Sequence, residues 1–118
     1  MGLIRWLTKN WANTHEPTHR DLTPLVLPLP PDEAVERVKA AAGTLPNWAV
    51  EPDPAAGELH LTRRTRLMAF VDDVRLRFRP AGPGTLIHAE SRSRVGKGDL
   101  GQNRRNILEL WTAIRAAP

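Results

Sequence analysis

From Val74 the chain reads Val-Arg-Leu-Arg-Phe-Arg, an unbroken alternation of apolar and basic residues ending at Arg79. A period of two fits a β-strand that is buried on one side and wet on the other, because a helix would scatter the same residues around its cylinder. The alternation reaches back to Phe70. Phe70, Asp72, Val74, Leu76 and Phe78 take one face, and Asp73, Arg75, Arg77 and Arg79 take the other. Residues 48–51, 59–66 and 85–95 carry related patterns. In 85–95, Ile87, Ala89, Ser91, Ser93 and Val95 share one parity, while His88, Glu90, Arg92 and Arg94 share the opposite one. The connections at 52–57 and 80–84 hold the Pro and Gly that hairpins require. At Leu67-Met68 no such turn signal exists.

Two helices frame these strands. Leu25-Val26-Leu27 reads as a short strand stopped by Pro28 and Pro30. A helix then opens at Pro31, with Asp32 and Glu33 where the helix dipole favours negative charge. Its apolar side is Ala34, Val35, Val38, Ala41, Ala42 and Leu45, and Gly43 with Pro46 stops it. The second helix is expected over 100–116, with Asp99-Leu100-Gly101-Gln102 as a capping box. The order is therefore β-α-β-β-β-β-α: an α+β fold, a mostly antiparallel sheet with both helices on one face. That arrangement is similar to the TATA-box-binding-protein-like and small helix-grip folds. Residues 1–24 read as an N-terminal helical segment and loop ahead of a single α+β domain at 25–118. In the segment, Leu3, Ile4, Leu7 and Trp11 fall within one helical half-face. The expectation is that it docks on the domain or on a second copy in a homodimer; the alternative is peripheral membrane contact through Trp6 and Trp11.

A length of 118 residues suits one hydrophobic core. The chain has no cysteine, which removes disulfides, thiol catalysis and thiolate metal sites, and a reducing cytoplasm is the expected compartment. No secretory leader and no run of eighteen apolar residues is evident. Charge is uneven. Residues 63–105 hold eleven Lys and Arg against four Asp and Glu, a net +7, so the remaining residues carry −3 of the overall +4. Such a concentration attracts anions.

Two motifs are declined on physical grounds. Gly96-Lys97-Gly98-Asp99-Leu100-Gly101 has the spacing of a dinucleotide fingerprint, but the sequence given has no room for the second parallel strand and the later acid. Asp99 would also set a carboxylate against the pyrophosphate. His15-Glu16-Pro17-Thr18-His19 has the spacing of a zinc-protease helix, yet Pro17 breaks the helix that must align both histidines. Neither a metal nor a cofactor is expected, and no catalytic residue is assigned.

One constellation stands out. Asp72 sits on the apolar parity of its strand, where an unpartnered carboxylate is costly. On the last helix Asn103 and Arg104 flank the apolar stripe of Leu100, Ile107, Trp111 and Ile114. Asp72, with Asp73 beside it, is expected to meet Arg104 and Asn103 beneath that helix, and Arg94 and Asp99 belong to the same neighbourhood. The favoured role is structural. On the other face, Arg75, Arg77, Arg79, Arg92 and Arg94 form a wet basic surface.

The runs Phe70-Val71-Asp72-Asp73-Val74 and Ser91-Arg92-Ser93-Arg94-Val95-Gly96, followed by Asp99-Leu100-Gly101-Gln102-Asn103-Arg104-Arg105, resemble the domain-of-unknown-function family numbered 1499. The resemblance covers roughly 25–116 and implies no agreed activity. From the residues, the expected function is non-catalytic binding of an anionic ligand, a lipid headgroup or an acidic protein partner through the basic face. The alternatives are nucleic-acid binding on that face, weakened by the lack of an exposed aromatic there, and a small enzyme using Asp72 or Asp73 with Arg94 or Arg104.

Overall fold

A computed structural model of the chain describes residues 11–15, 22–52, 54–65, 70–94 and 101–117. Six strands form one antiparallel sheet: β1 (Trp11–Asn13), β2 (Leu25–Leu27), β3 (Trp48–Val50), β4 (Glu58–Arg64), β5 (Val71–Ala81) and β6 (Gly84–Ser93). The lateral order is β1-β6-β5-β4-β3, with β2 also on β6. The two short strands share one edge of β6: Leu25–Leu27 pairs with Ile87–Thr85, and Trp11–Asn13 pairs with Arg92–Glu90. The long β5 is central because its alternating residues serve both faces. At the β5–β6 turn Ala81 pairs with Gly84, leaving Gly82 and Pro83 as a two-residue loop. Gly82 has φ 58°, which only glycine adopts freely.

Helices α1 (Pro31–Ala42) and α2 (Gln102–Ala116) cover the same sheet face and touch each other. Val74, Leu76 and Phe78 of β5, Leu59 and Leu61 of β4, and Ile87 and Ala89 of β6 meet Val38 and Ala41 of α1 and Ile107, Leu110 and Ile114 of α2 in one core. Trp111 is buried there too, and its indole N–H donates to the carbonyl of Thr23 at 2.8 Å, so its polar atom is satisfied. Along the β3–β4 side, Glu109 of α2 accepts from Trp48 Nε1 and from Arg63 Nε, fastening the helix to the far end of the sheet. The expected order and the single helical face are both present.

Three details differ from the expectations. Trp11 and Ala12, placed on a helix, lie in β1, because an edge of β6 offers backbone partners that a short isolated helix lacks. The sheet thus takes in residues ahead of position 25. Phe70 precedes β5 and is exposed rather than buried. Finally, α2 starts at Gln102, two residues after the expected Leu100, behind a left-handed Gly101 (φ 83°). Asp99 and Leu100, the expected opening of a capping box, lie outside the described residues, as do Val95, Trp6 and the rest of 1–10.

Candidate functional site

Among the described residues the sheet has one covered and one open face, and each carries polar chemistry. On the covered face the polar residues form a ladder between β5, β6 and α2. Alternation along β6 turns Ser91 and Ser93 toward the helix, and the i, i+3 spacing of Asn103 and Asn106 turns both amides toward the sheet. Asn106 Nδ2 donates to Asp72 Oδ2 at 2.8 Å and to Ser91 Oγ at 3.1 Å. Ser91 donates to Asn103 Oδ1 at 2.6 Å, and Asn103 Nδ2 donates to Ser93 Oγ at 2.9 Å. Gln102 Nε2 closes the ladder on Asn106 Oδ1 at 2.7 Å. Asp72 is 1% exposed, and Ser91, Asn103 and Asn106 are fully buried. Each hydroxyl and amide thus has a partner, as buried polar groups require.

This geometry corrects the expected Asp72–Arg104 pair. Among the described residues the group bonded to Asp72 is Asn106, one residue type and half a turn away from the expected guanidinium. Arg104 is half-buried and interacts elsewhere. An amide can satisfy Asp72 while bringing no second charge out of water. Gln102, Asn106, Ser91 and Ser93 are the members that sequence reasoning left out of the constellation.

The open face is a grid fixed by register. One row across the strands is Glu58–Arg77–His88, and the next is His60–Arg75–Glu90–Asn13. Beyond them run Thr62–Asp73–Arg92–Trp11 and then Arg64–Val71–Arg94. Arg75, Arg77, Arg79 and Arg92 are exposed there, as their parity requires. The face is not uniformly cationic, however. Arg94 grips Asp73 through two bonds of 2.9 Å, and His60 Nε2 contacts the same carboxylate at 2.7 Å. The Arg94 bond is the main reason that the Asp73 carboxyl falls from 3.8 to about 2; burial opposes that fall and His60 adds to it. Glu58 approaches Arg77, and Glu90 approaches Arg92, both at 3.9 Å. Asp73 and Arg94 are therefore together, but on the opposite side of the sheet from Asp72 and Asn103. Trp11, by register, also lies on this side, which corrects the expectation that it carries no aromatic.

Two shallow clefts mark the open face. One, about 200 Å³, lies over Arg75, Arg77 and Ala89, with Glu58 and Glu90 at its sides and the His15–His88 pair as a wall. These imidazoles stack with centroids 3.7 Å apart and planes 14° from parallel. Thr14 holds His88 in place, with its Oγ1 2.9 Å from Nδ1, and accepts from the Ala89 N–H at 2.9 Å. Burial lowers the pKa of His88, and His15 and Arg79 lower it further. The other cleft, about 320 Å³, lies at the opposite end, between Glu51 and Thr62 on one side and Arg94 and Val71 on the other. Among the described residues no group of three or more His, Cys, Asp or Glu is arranged to hold a metal. The declined motifs at 15–19 and 96–101 fall mostly outside the described residues. No described helix is long and apolar enough to cross a membrane.

A small α+β domain with one roofed and one open sheet face is the class these features define. Residues 7–114 match the family described as "Protein of unknown function (DUF1499)", and the chain belongs to that family. No curated protein matches the sequence. Among solved structures the fold is similar to the crystal structure of TTHA0849 from Thermus thermophilus, at 10% identity and a TM-score of 0.41, covering 90% of this chain and 97% of that one.

Proposed function

We propose that the domain is a non-catalytic binding module that receives an anionic ligand on the open face of its sheet. The supporting observation is the row Arg75, Arg77, Arg79 on the central strand. All three are exposed, and among the described residues neither Arg75 nor Arg79 has a carboxylate within ion-pairing distance. Alternate strand residues lie about 7 Å apart, so the row presents guanidinium groups at regular intervals. Planar guanidinium forks suit phosphate and carboxylate oxygens. A phosphorylated metabolite, a lipid headgroup and an acidic protein segment share that chemistry. A cytoplasmic setting accords with the cysteine-free sequence.

A catalytic reading is less well supported. The enzyme alternative used Asp72 or Asp73 with Arg94 or Arg104; side chains close over Asp72 and leave it 1% exposed, and Asp73 is tied to Arg94 through two bonds. The two serines there bond amides, not a histidine base. Nucleic-acid binding is favoured by one observation, Trp11 beside Arg92 on the open face, where a base could stack. Amide NMR titration with inorganic phosphate tests the main reading. Shifts centred on β5 residues 75–79 are expected, and shifts absent from β5 would sink it. Titration with a single-stranded oligonucleotide that perturbs Trp11 more than Arg75 would move the assignment to the second reading.

A further inference from the structure

The cleft of about 320 Å³ at the β3 end of the open face has opposite charges on opposing walls. On one wall Glu51 accepts a hydrogen bond from Thr62 Oγ1 at 3.0 Å. On the other, Arg94 is clamped by Asp73 through two bonds of 2.9 Å. Each charge is thus held by a neighbour on its own side. Glu51 is near enough to favour the charged form of Arg94, whose pKa is raised first by its bonds to Asp73, yet the two form no ion pair across the gap. The Arg94 guanidinium keeps Nη1 free of the Asp73 bonds, with two donors to offer. Ala49 and Val71 add apolar surface to the lining, and Arg64, paired with Val71, adds a second cation.

We infer that this cleft binds a small zwitterion of the amino-acid type, its ammonium toward Glu51 and its carboxylate toward Arg94. A fixed anion and a fixed cation at separate walls match a ligand carrying both charges. A purely anionic ligand would meet Glu51, and a purely cationic one would meet Arg94. Charges already anchored by neighbours need little reordering on binding, which is where affinity for a small ligand is commonly lost. The volume lies at the small end of the range for ligand pockets and leaves room for a short aliphatic side chain. This site is separate from the Arg75–Arg79 row and stands or falls independently of it.

The test uses three probes: L-leucine, N-acetyl-L-leucine, which lacks the ammonium, and L-leucinamide, which lacks the carboxylate. Amide NMR of the full chain should show leucine moving Ala49, Thr62, Val71 and Arg94, with both blocked forms about tenfold weaker or worse. Glu51→Gln keeps an acceptor for Thr62 and removes only the charge. That variant should remove the preference for leucine over N-acetyl-leucine while its spectrum stays folded. Three results would each overturn the inference: N-acetyl-leucine binding as well as leucine, an unchanged preference in Glu51→Gln, or no cleft shifts with ~10 mM leucine.

Discussion

Asp72 of β5 and Asn106 of α2, 34 residues apart in sequence, are joined by a 2.8 Å hydrogen bond from amide to carboxylate, almost wholly out of water. The bond fixes where the final helix sits along the sheet, because Asn106 also reaches Ser91 of the neighbouring strand. Asn106→Ala would strand the carboxylate without this donor and is expected to cost about 2 kcal/mol, as for other buried polar groups left unsatisfied. Urea unfolding measures it. A midpoint unmoved by the substitution would show that the ladder does not hold the helix.

Asp73 gives an acid-side signature. Its folded-state carboxyl titrates near about 2 instead of 3.8, so the unfolded chain takes up the proton first. The stability that this group contributes is whole above about pH 4 and drains away as pH falls toward about 2. Arg94→Gln is expected to return the carboxyl toward 3.8, followed by carbon-detected NMR. With the Arg94 side chain 50% exposed and screened by solvent, the same change should lower the melting temperature at neutral pH only modestly, and the loss should shrink as pH falls toward about 2. A carboxyl still near 2 in the variant would assign the shift to another group.

His88 should act in a higher window. Its pKa lies below 6.5, mainly through burial, with His15 and Arg79 adding to the effect. Its neutral form favours the fold. The contribution is intact above 6.5 and declines as pH drops below that value, because the unfolded imidazole protonates first. Imidazole NMR of Arg79→Gln or His15→Ala should show His88 moving up toward 6.5. No movement in either variant would leave burial as the sole cause.

Gly84 is expected to tolerate no side chain. A Cβ there would overlap the carbonyl oxygen of Leu27, at the register point where β2 lies on β6. Gly84→Ala should therefore destabilise by about 1–3 kcal/mol, the usual range for an overfilled site. An unaltered urea midpoint would mean that β2 moves aside freely.

Much of the fold was legible because alternation is a physical consequence of strand geometry. The parity of residues 72–79 and 87–94 sorted Val74 and Leu76 from Arg75 and Arg77 correctly, and the proline and acids at 31–33 marked α1. Trp11 was misplaced because three residues carry too little periodicity, and their strand depends on a distant edge. The candidate site was half legible. Asp72 on an apolar parity announced a buried partner, and Ser91 shared that parity. Choosing Asn106 over Arg104 needed the rotation of α2, which the starting point of the helix decides, and the helix starts at Gln102 rather than at Leu100. Arg94 meeting Asp73 follows from register across β5–β6, unknowable before the turn at Gly82-Pro83 was fixed.

Calorimetry with tripolyphosphate at low salt, comparing the natural chain with the double variant Arg75→Gln/Arg79→Gln, addresses the open-face proposal most directly. The natural chain should bind, with affinity falling as salt is added, and the variant should bind about tenfold more weakly or worse. Equal affinity in the two proteins, or no heat from the folded natural chain, would contradict an anion site on this face.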